Sequence, residues 1–204
     1  MTAGVGASDR SSAVTAELVR KAALDLFSAT GYDGTSMREI AAAVGVKAGS
    51  LYSHFPSKEE ILWQLVSDAT TLLDQVQDEA AAALPEGADA RTRLAAFVRT
   101  HTRYHAGNSQ QALIVNRQIH SLAEDRHSEV LRWRDRYEMR LRTILLAGVA
   151  SGAFAIPEPR VTSYAILQMG MGVASWFRPD GPLSVTQICD AHEAIAAKMT
   201  SPSC

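Results

Sequence analysis

Apolar residues recur along this chain at the three-to-four spacing of helices, and short polar, glycine or proline interruptions cut the pattern into segments. The first segment runs from about Ser12 to Thr30, with Leu18, Val19, Ala22, Ala23, Leu26 and Phe27 on one face, and Gly31 supplies a stop. A second starts near Ser36, where Ser36 and Glu39 fit a capping box. It turns Met37, Ile40, Ala41 and Val44 inward and ends at Gly45. A third, short segment covers about Ala48 to His54 before Pro56. Ser57 and Glu60 form a second capping box. They open a long fourth helix to about Ala83, striped by Ile61, Leu62, Leu65, Val66, Ala69, Leu72, Leu73 and Val76.

Beyond the Pro85-Glu86-Gly87 break the helical period returns. The fifth segment spans about Asp89 to Ala106, with Leu94, Phe97, Val98 and His101 on one side, and the sixth spans about Gln110 to His120. Ser121 and Glu124 fit a cap before a seventh segment ending near Gly152, whose buried face includes Val130, Trp133, Tyr137, Leu141, Ile144 and Leu145. The eighth, about Val161 to Phe177, is apolar on most sides. A turn through Pro179, Gly181 and Pro182 leads to a ninth, capped by Ser184 and reaching about Met199. Alternating β-branched runs are scarce. The expectation is an all-α protein of about nine helices: a flexible arm over 1–11, a compact three-helix domain over 12–56, and a longer bundle over 57–204.

Composition agrees and narrows the choices. Apolar residues make up 47% and aromatics 6%, and the abundance of alanine favours helix. The formal net charge is -2, so a nucleic-acid role has to rest on local geometry. Residues 1–58 hold six Lys or Arg and five acids, a balance of only +1. Cys189 and Cys204 make no disulfide framework and fit a reducing cytosol. The first twelve residues lack the apolar core of a signal peptide, and no apolar run approaches the roughly 20 residues that span a bilayer. A cytoplasmic protein without membrane contact is expected. Ser151 has no GxSxG context, and neither HExxH nor a phosphate loop occurs. Neither an enzyme nor a cofactor is expected.

Function is most legible between Gly31 and Ile61. The order there is turn, short helix, tight glycine turn and second helix, which is the pattern of a helix-turn-helix. Val46 and Leu51 would anchor the second helix. Lys47, Ala48, Gly49, Ser50, Tyr52 and His54 would face outward, small, hydroxyl or basic as a major-groove helix requires. Tyr52, His54 and Lys58 suit phosphates, which fix position without reading sequence.

The stretch AALDLFSATGYDGTSMREIAAAVGV followed by AGSLYSHFPSKEEIL, roughly residues 14–64, resembles the TetR/AcrR family of transcriptional repressors. The resemblance implies a helix-turn-helix DNA-binding domain over 12–56 and a ligand-binding and dimerisation domain over 57–204. It places Ser36 and Arg38 near the backbone and groove edge, Lys47, Ala48 and Ser50 toward bases, and Tyr52, His54 and Lys58 on phosphates. Ala48 and Gly49 offer no hydrogen-bonding side chain, so Arg38, Lys47 and DNA shape would carry much of the specificity. A two-fold dimer would favour a palindromic operator on double-stranded DNA.

In the larger domain the last two helices are candidates for a homodimer interface. Gly170 and Gly172 permit close helix approach, or simple packing within the chain, and Ile188, Ala191, Ile195 and Ala196 line the ninth helix. Phe97, His101, Tyr104, Gln118, Trp133, Tyr137 and Met169 are candidates for the lining of an inducer pocket, or ordinary core and surface residues. His101 and His105, four apart, could hold a metal only with a third ligand such as His120, so no metal is assigned. The arginines of the seventh helix, Arg126, Arg132, Arg134, Arg136, Arg140 and Arg142, have Glu129, Asp135 and Glu138 close by for a salt-bridged face, or could bind an anionic ligand. Trp176 to Ser184 resembles the WxRPxGPLS segment of a TetR branch that controls lipid or steroid-ring catabolism and responds to CoA thioesters. The eighth helix has no Arg or Lys between Val161 and Phe177 to clamp a phosphate. The expectation is a homodimeric repressor released from its operator by a small molecule, hydrophobic or an acyl-CoA. An activator, or a helical adaptor for a protein partner, is the alternative.

Overall fold

The helix that opens the fold, α1 (Val5–Thr30), starts before the Ser12 expected from its apolar face. The structure, a computed structural model, describes residues 5–201, with side chains from residue 16 onward. Of the arm expected over 1–11, residues 1–4 lie outside the described residues, as does Cys204, and 5–11 have helical backbone. The described residues continue as α2 (Met37–Val44), α3 (Ala48–His54), α4 (Lys58–Ala82), α5 (Ala90–Gly107), α6 (Ser109–Gln118), a 3-10 turn (Ile119–Ser121), α7 (Glu124–Ala150), α8 (Pro159–Trp176) and α9 (Val185–Thr200). They contain nine α-helices and no strand.

Two of the boundaries differ from the expected ones for local reasons. Ser121 does not cap α7, because the 3-10 turn takes it up and its hydroxyl donates to Gln118 Oε1. α8 begins at Pro159, with Glu158 as its cap. Proline suits a first helical position, where no N–H is needed.

The chain divides into two compact units, and the division falls inside α4, α6 and α7. The first comprises residues up to Asp68 together with Ile114–His127. Its core buries Val19, Ala23 and Phe27 of α1, Ile40 of α2, Leu51 of α3 and Ile61, Leu62, Leu65 and Val66 of α4. Leu18, counted on the apolar face of α1, is instead 51% exposed.

The second unit holds Ala69–Leu113 and the chain from Ser128. There α5 packs chiefly on α9 and α8. Its core joins Leu73, Leu94, Phe97, Val98, Tyr104, Tyr137, Leu141, Leu145, Phe154, Ile166 and Leu167. Arg99 of α5 ties to α9 through Glu193 at 2.8 Å and through Asp190. Glycine makes two close approaches possible. A Cβ on Gly148 would lie 1.9 Å from the Phe154 ring, and one on Gly170 would lie 2.2 Å from His101 Cδ2. The close approach suspected at Gly170 is therefore made within the chain, against α5. A Cβ on Gly172 would meet nothing.

Candidate nucleic-acid interface and buried polar cluster

In the first unit the α2–turn–α3 element is fixed by local chemistry. Ser36 caps α2, taking the Glu39 N–H on its hydroxyl while the Glu39 carboxylate accepts the Ser36 N–H at 2.7 Å. That backbone bond holds the Glu39 carboxyl below the usual carboxylate range. Gly45 ends α2 at φ 77, a left-handed conformation that glycine adopts without steric cost. Val46 N–H then closes on Ala41 O at 3.0 Å. The next helix is anchored by Leu51 and, past its end, by Phe55, both fully buried.

This anchoring leaves Lys47, Ser50, Tyr52 and His54 exposed and Ala48 half-buried, with Arg38 and Ser36 exposed at the start of α2. Between Met37 and Lys58 there are three Lys or Arg and a single acid, Glu39, which is folded back onto its own helix end. The nearly neutral balance over 1–58 thus hides a local excess of positive charge on this element. Lys58 is drawn inward: Nζ donates to Tyr32 O and, at 2.9 Å, to Thr35 O, and lies 4.3 Å from the centre of the Tyr32 ring. One ammonium N–H is left over for another acceptor. Ser57 Oγ accepts the Glu60 N–H at 3.0 Å, but the Glu60 carboxylate pairs with Arg126, so the second capping box is half made.

Six of the seven candidate ligand residues form one buried or half-buried cluster in the second unit. Trp133 stacks on Tyr137 at 5.2 Å, and Phe97 lies 5.5 Å from Tyr137 and 6.2 Å from His101. His101 Nδ1 bonds the Tyr137 hydroxyl at 2.9 Å, and Nε2 bonds Leu167 O at 3.1 Å. Tyr104 donates to Ala69 O at 2.8 Å. Met169 packs against the same core from a partly buried position. Gln118 belongs to the first unit and is not part of this cluster.

The structure adds two members that the sequence reading did not select. Gln77 of α4, buried, donates to Phe97 O and to the Tyr137 hydroxyl. A glutamine one position after Val76 in an apolar stripe was the available signal. His105 is buried beside His101, their ring centres 4.5 Å apart. Its spacing from His101 in the sequence points only to a metal ligand. Among the described residues no group of three His, Cys, Asp or Glu is placed to hold a metal. A cleft of about 310 Å³ also opens in this unit, lined by Arg91, Leu94, Phe154, Glu193, Ala197 and Thr200 among others. None of the candidate ligand residues lines it.

Burial keeps these imidazoles neutral. Desolvation lowers the pKa of His101 to about 4 and that of His105 to about 2, and it also lowers His192, whose Nδ1 meets Thr102 Oγ1 at 3.1 Å. Unfolded, all three would take a proton near pH 6.5. The unfolded state therefore binds more protons below that pH, and stability falls as pH drops from about 6.5 toward 4. His101 alone accounts for about 3 kcal/mol across that window. Urea melts at pH 7 and pH 5 should show a clear loss at the lower pH, and His101→Phe should remove only the His101 share of it, because His105 and His192 keep theirs; equal wild-type midpoints at the two pH values would contradict the assignment.

The arginines of α7 find their acids mostly on α4 and not among their own neighbours. In the first unit Arg126 pairs with Glu59 at 2.7 Å and with Glu60, and it lies over the Trp63 ring. In the second, Arg140 pairs with Asp78 at 2.6 Å and Asp74 at 3.3 Å. Of the expected α7 acids, Glu138 serves Arg142 at 3.3 Å. On the outer faces of α8 and α9, Val161, Tyr164, Trp176, Ile195 and Met199 are exposed, whereas Ile188 and Ala196 are spent inside the chain. No helix among the described residues is long and apolar enough to cross a membrane.

Comparison with known proteins agrees with this architecture. The family model described as the tetracyclin repressor-like C-terminal domain matches residues 87–200, and that of bacterial regulatory proteins of the tetR family matches residues 19–65. The HTH-type transcriptional repressor KstR2 of Rhodococcus jostii is 28% identical over 175 residues, 85% of this chain and 84% of its own. The TetR family transcriptional regulator PfmR of Thermus thermophilus is 32% identical, with 88% of this chain and 97% of that chain covered and a TM-score of 0.79. AibR, solved in complex with isovaleryl coenzyme A and operator DNA, is 25% identical, covering 93% of this chain and all of its own at a TM-score of 0.79. The chain belongs to the TetR family and is a helix-turn-helix transcriptional regulator, not an enzyme.

Proposed function

We propose that this chain is a cytoplasmic homodimeric repressor that holds a palindromic operator and releases it when a small molecule enters the second unit. The carrying observation is the rigidly capped α2–turn–α3 element, which presents Arg38, Lys47, Ser50, Tyr52 and His54 around a buried Leu51. In this reading Lys47, Ala48 and Ser50 meet base edges and Arg38 the groove edge. Tyr52, His54 and the remaining N–H of Lys58 meet phosphates, and Ser36 sets the helix end against the backbone. Residues 12–56 are the DNA-binding domain and 57–204 the effector and dimerisation domain, with 1–11 as an arm.

A single copy carries too few cations for tight binding, and two copies double the phosphate contacts. The exposed stripe Val161, Tyr164 and Trp176 on α8, with Ile195 and Met199 on α9, supplies the apolar face for that pairing. The effector enters among Phe97, His101, Tyr104, Trp133, Tyr137 and Met169. The relative AibR suggests an acyl-CoA, and the apolar lining suits any hydrophobic molecule. Transmission runs along continuous helices. α4, α6 and α7 each contribute to both units, and Arg126 grips Glu59 and Glu60 at the start of α4. Coupling of this kind is typically worth about 1–3 kcal/mol.

Selection of bound sequences from a random DNA pool tests the reading. It should enrich a two-fold symmetric motif with half-sites about one helical turn apart. Enrichment of an asymmetric motif, or of none, would contradict it.

A further inference from the structure

Among the described residues, His105 is the one whose buried side-chain nitrogens both lack a hydrogen-bonding partner. Its side chain is 5% exposed. A neutral imidazole carries one donor and one acceptor, and burying both unpaired is costly. Its neighbours cannot relieve it without loss elsewhere. His101, edge-on at 4.5 Å, spends both nitrogens on Tyr137 and Leu167, and Tyr104, perpendicular at 5.3 Å, spends its hydroxyl on Ala69 O. The surrounding polar network is closed, and His105 stands beside it with two unused valences.

We propose that His105 is the polar anchor of the effector site, and that the effector is an uncharged, largely apolar molecule presenting a carbonyl or hydroxyl oxygen to the imidazole. The inference rests on the ligand-responsive reading above and narrows it: of the two ligand classes named there, it takes the hydrophobic molecule and sets the phosphate-bearing acyl-CoA aside. An N–H of the ring donates to a carbonyl oxygen, and a hydroxyl can also donate to the other nitrogen. A carboxylate is disfavoured, because α8 carries no Arg or Lys between Val161 and Trp176 and burial holds His105 neutral. His101, Tyr104 and Tyr137 are then positioning residues, whose closed network leaves His105 the free polar contact.

Three probes of one shape class separate the outcomes: 2-acetylnaphthalene, its near-isostere 2-isopropylnaphthalene without the oxygen, and 2-naphthoate. They are titrated into the full chain, its His105→Leu and His105→Gln variants, with 15N-histidine spectra recorded alongside. The wild type should bind the ketone at least tenfold more tightly than the hydrocarbon, with naphthoate weakest, and the ketone alone should shift the His105 resonance. His105→Leu, which removes an unpaired polar group, should keep its thermal midpoint and lose the preference, while His105→Gln should retain part of it. Equal binding of ketone and hydrocarbon by the wild type, a preference that survives in His105→Leu, or no binding of any probe would overturn the anchor. A His105 resonance already hydrogen-bonded to water and unmoved by ketone would do the same. If the ketone binds through His105 yet leaves DNA affinity unchanged, the anchor stands and the ligand-responsive reading fails.

Discussion

Arg38→Ala combined with Lys47→Ala should lower operator affinity about a thousandfold while leaving the thermal midpoint in place. Both side chains are exposed, Arg38 in the first turn of α2 and Lys47 in the turn that leads into α3. A base or phosphate contact of this kind is worth about 1–3 kcal/mol. A dimer loses four of them, so even the low end of that range gives about 4 kcal/mol. To the extent that the lost contacts are to phosphates, the salt dependence should flatten, by about 0.9 in log–log slope for each. Fluorescence anisotropy with a labelled operator at several salt concentrations reads both effects. A loss below tenfold with an unchanged salt slope would mean that the cations that matter lie elsewhere.

The second large effect is on the fold of the effector unit. Gly170→Ala should destabilise the protein by about 2 kcal/mol, although alanine is favoured over glycine inside a helix by about 1 kcal/mol. The new Cβ would stand 2.2 Å from His101 Cδ2. His101 cannot step aside, because its ring is buried and bonded at both nitrogens. Overpacking typically costs about 1–3 kcal/mol, and breaking the Tyr137 or Leu167 bond adds about 1–3 kcal/mol. For a chain of this size the loss corresponds to a fall of roughly 4–8 °C in the thermal midpoint. Gly172→Ala is the paired control. Its Cβ would meet nothing within the chain, so a lowered midpoint there reports contact with a partner protomer. A Gly170→Ala variant as stable as the wild type would refute the close packing of α8 on α5.

Much of this was open to reading in the sequence, because it is governed by neighbours in the chain. The apolar period found the helices, Ser36 with Glu39 and Ser184 with Gln187 make complete capping boxes, and Gly45 makes the left-handed turn. Contacts between distant residues were less legible. Glu60 looked like the return half of the Ser57 cap, but Arg126, distant in sequence, outcompetes a backbone N–H for its carboxylate. The α7 arginines were matched to acids beside them in sequence, and α4 supplies most of the partners instead. His105 shows the limit most clearly. Its place on the α5 face could be read from spacing, but its lack of a partner depends on how Tyr137, Leu167 and Ala69 satisfy the groups around it.

The account stands or falls on a regulated DNA contact. Footprinting of the DNA upstream of the chain's own gene, with the purified protein and with or without the small-molecule fraction of the cells it comes from, measures this directly. A symmetric protected site at low salt, cleared by that fraction, is the predicted result. No protected site at any protein concentration, or one that no small-molecule fraction disturbs, would contradict it.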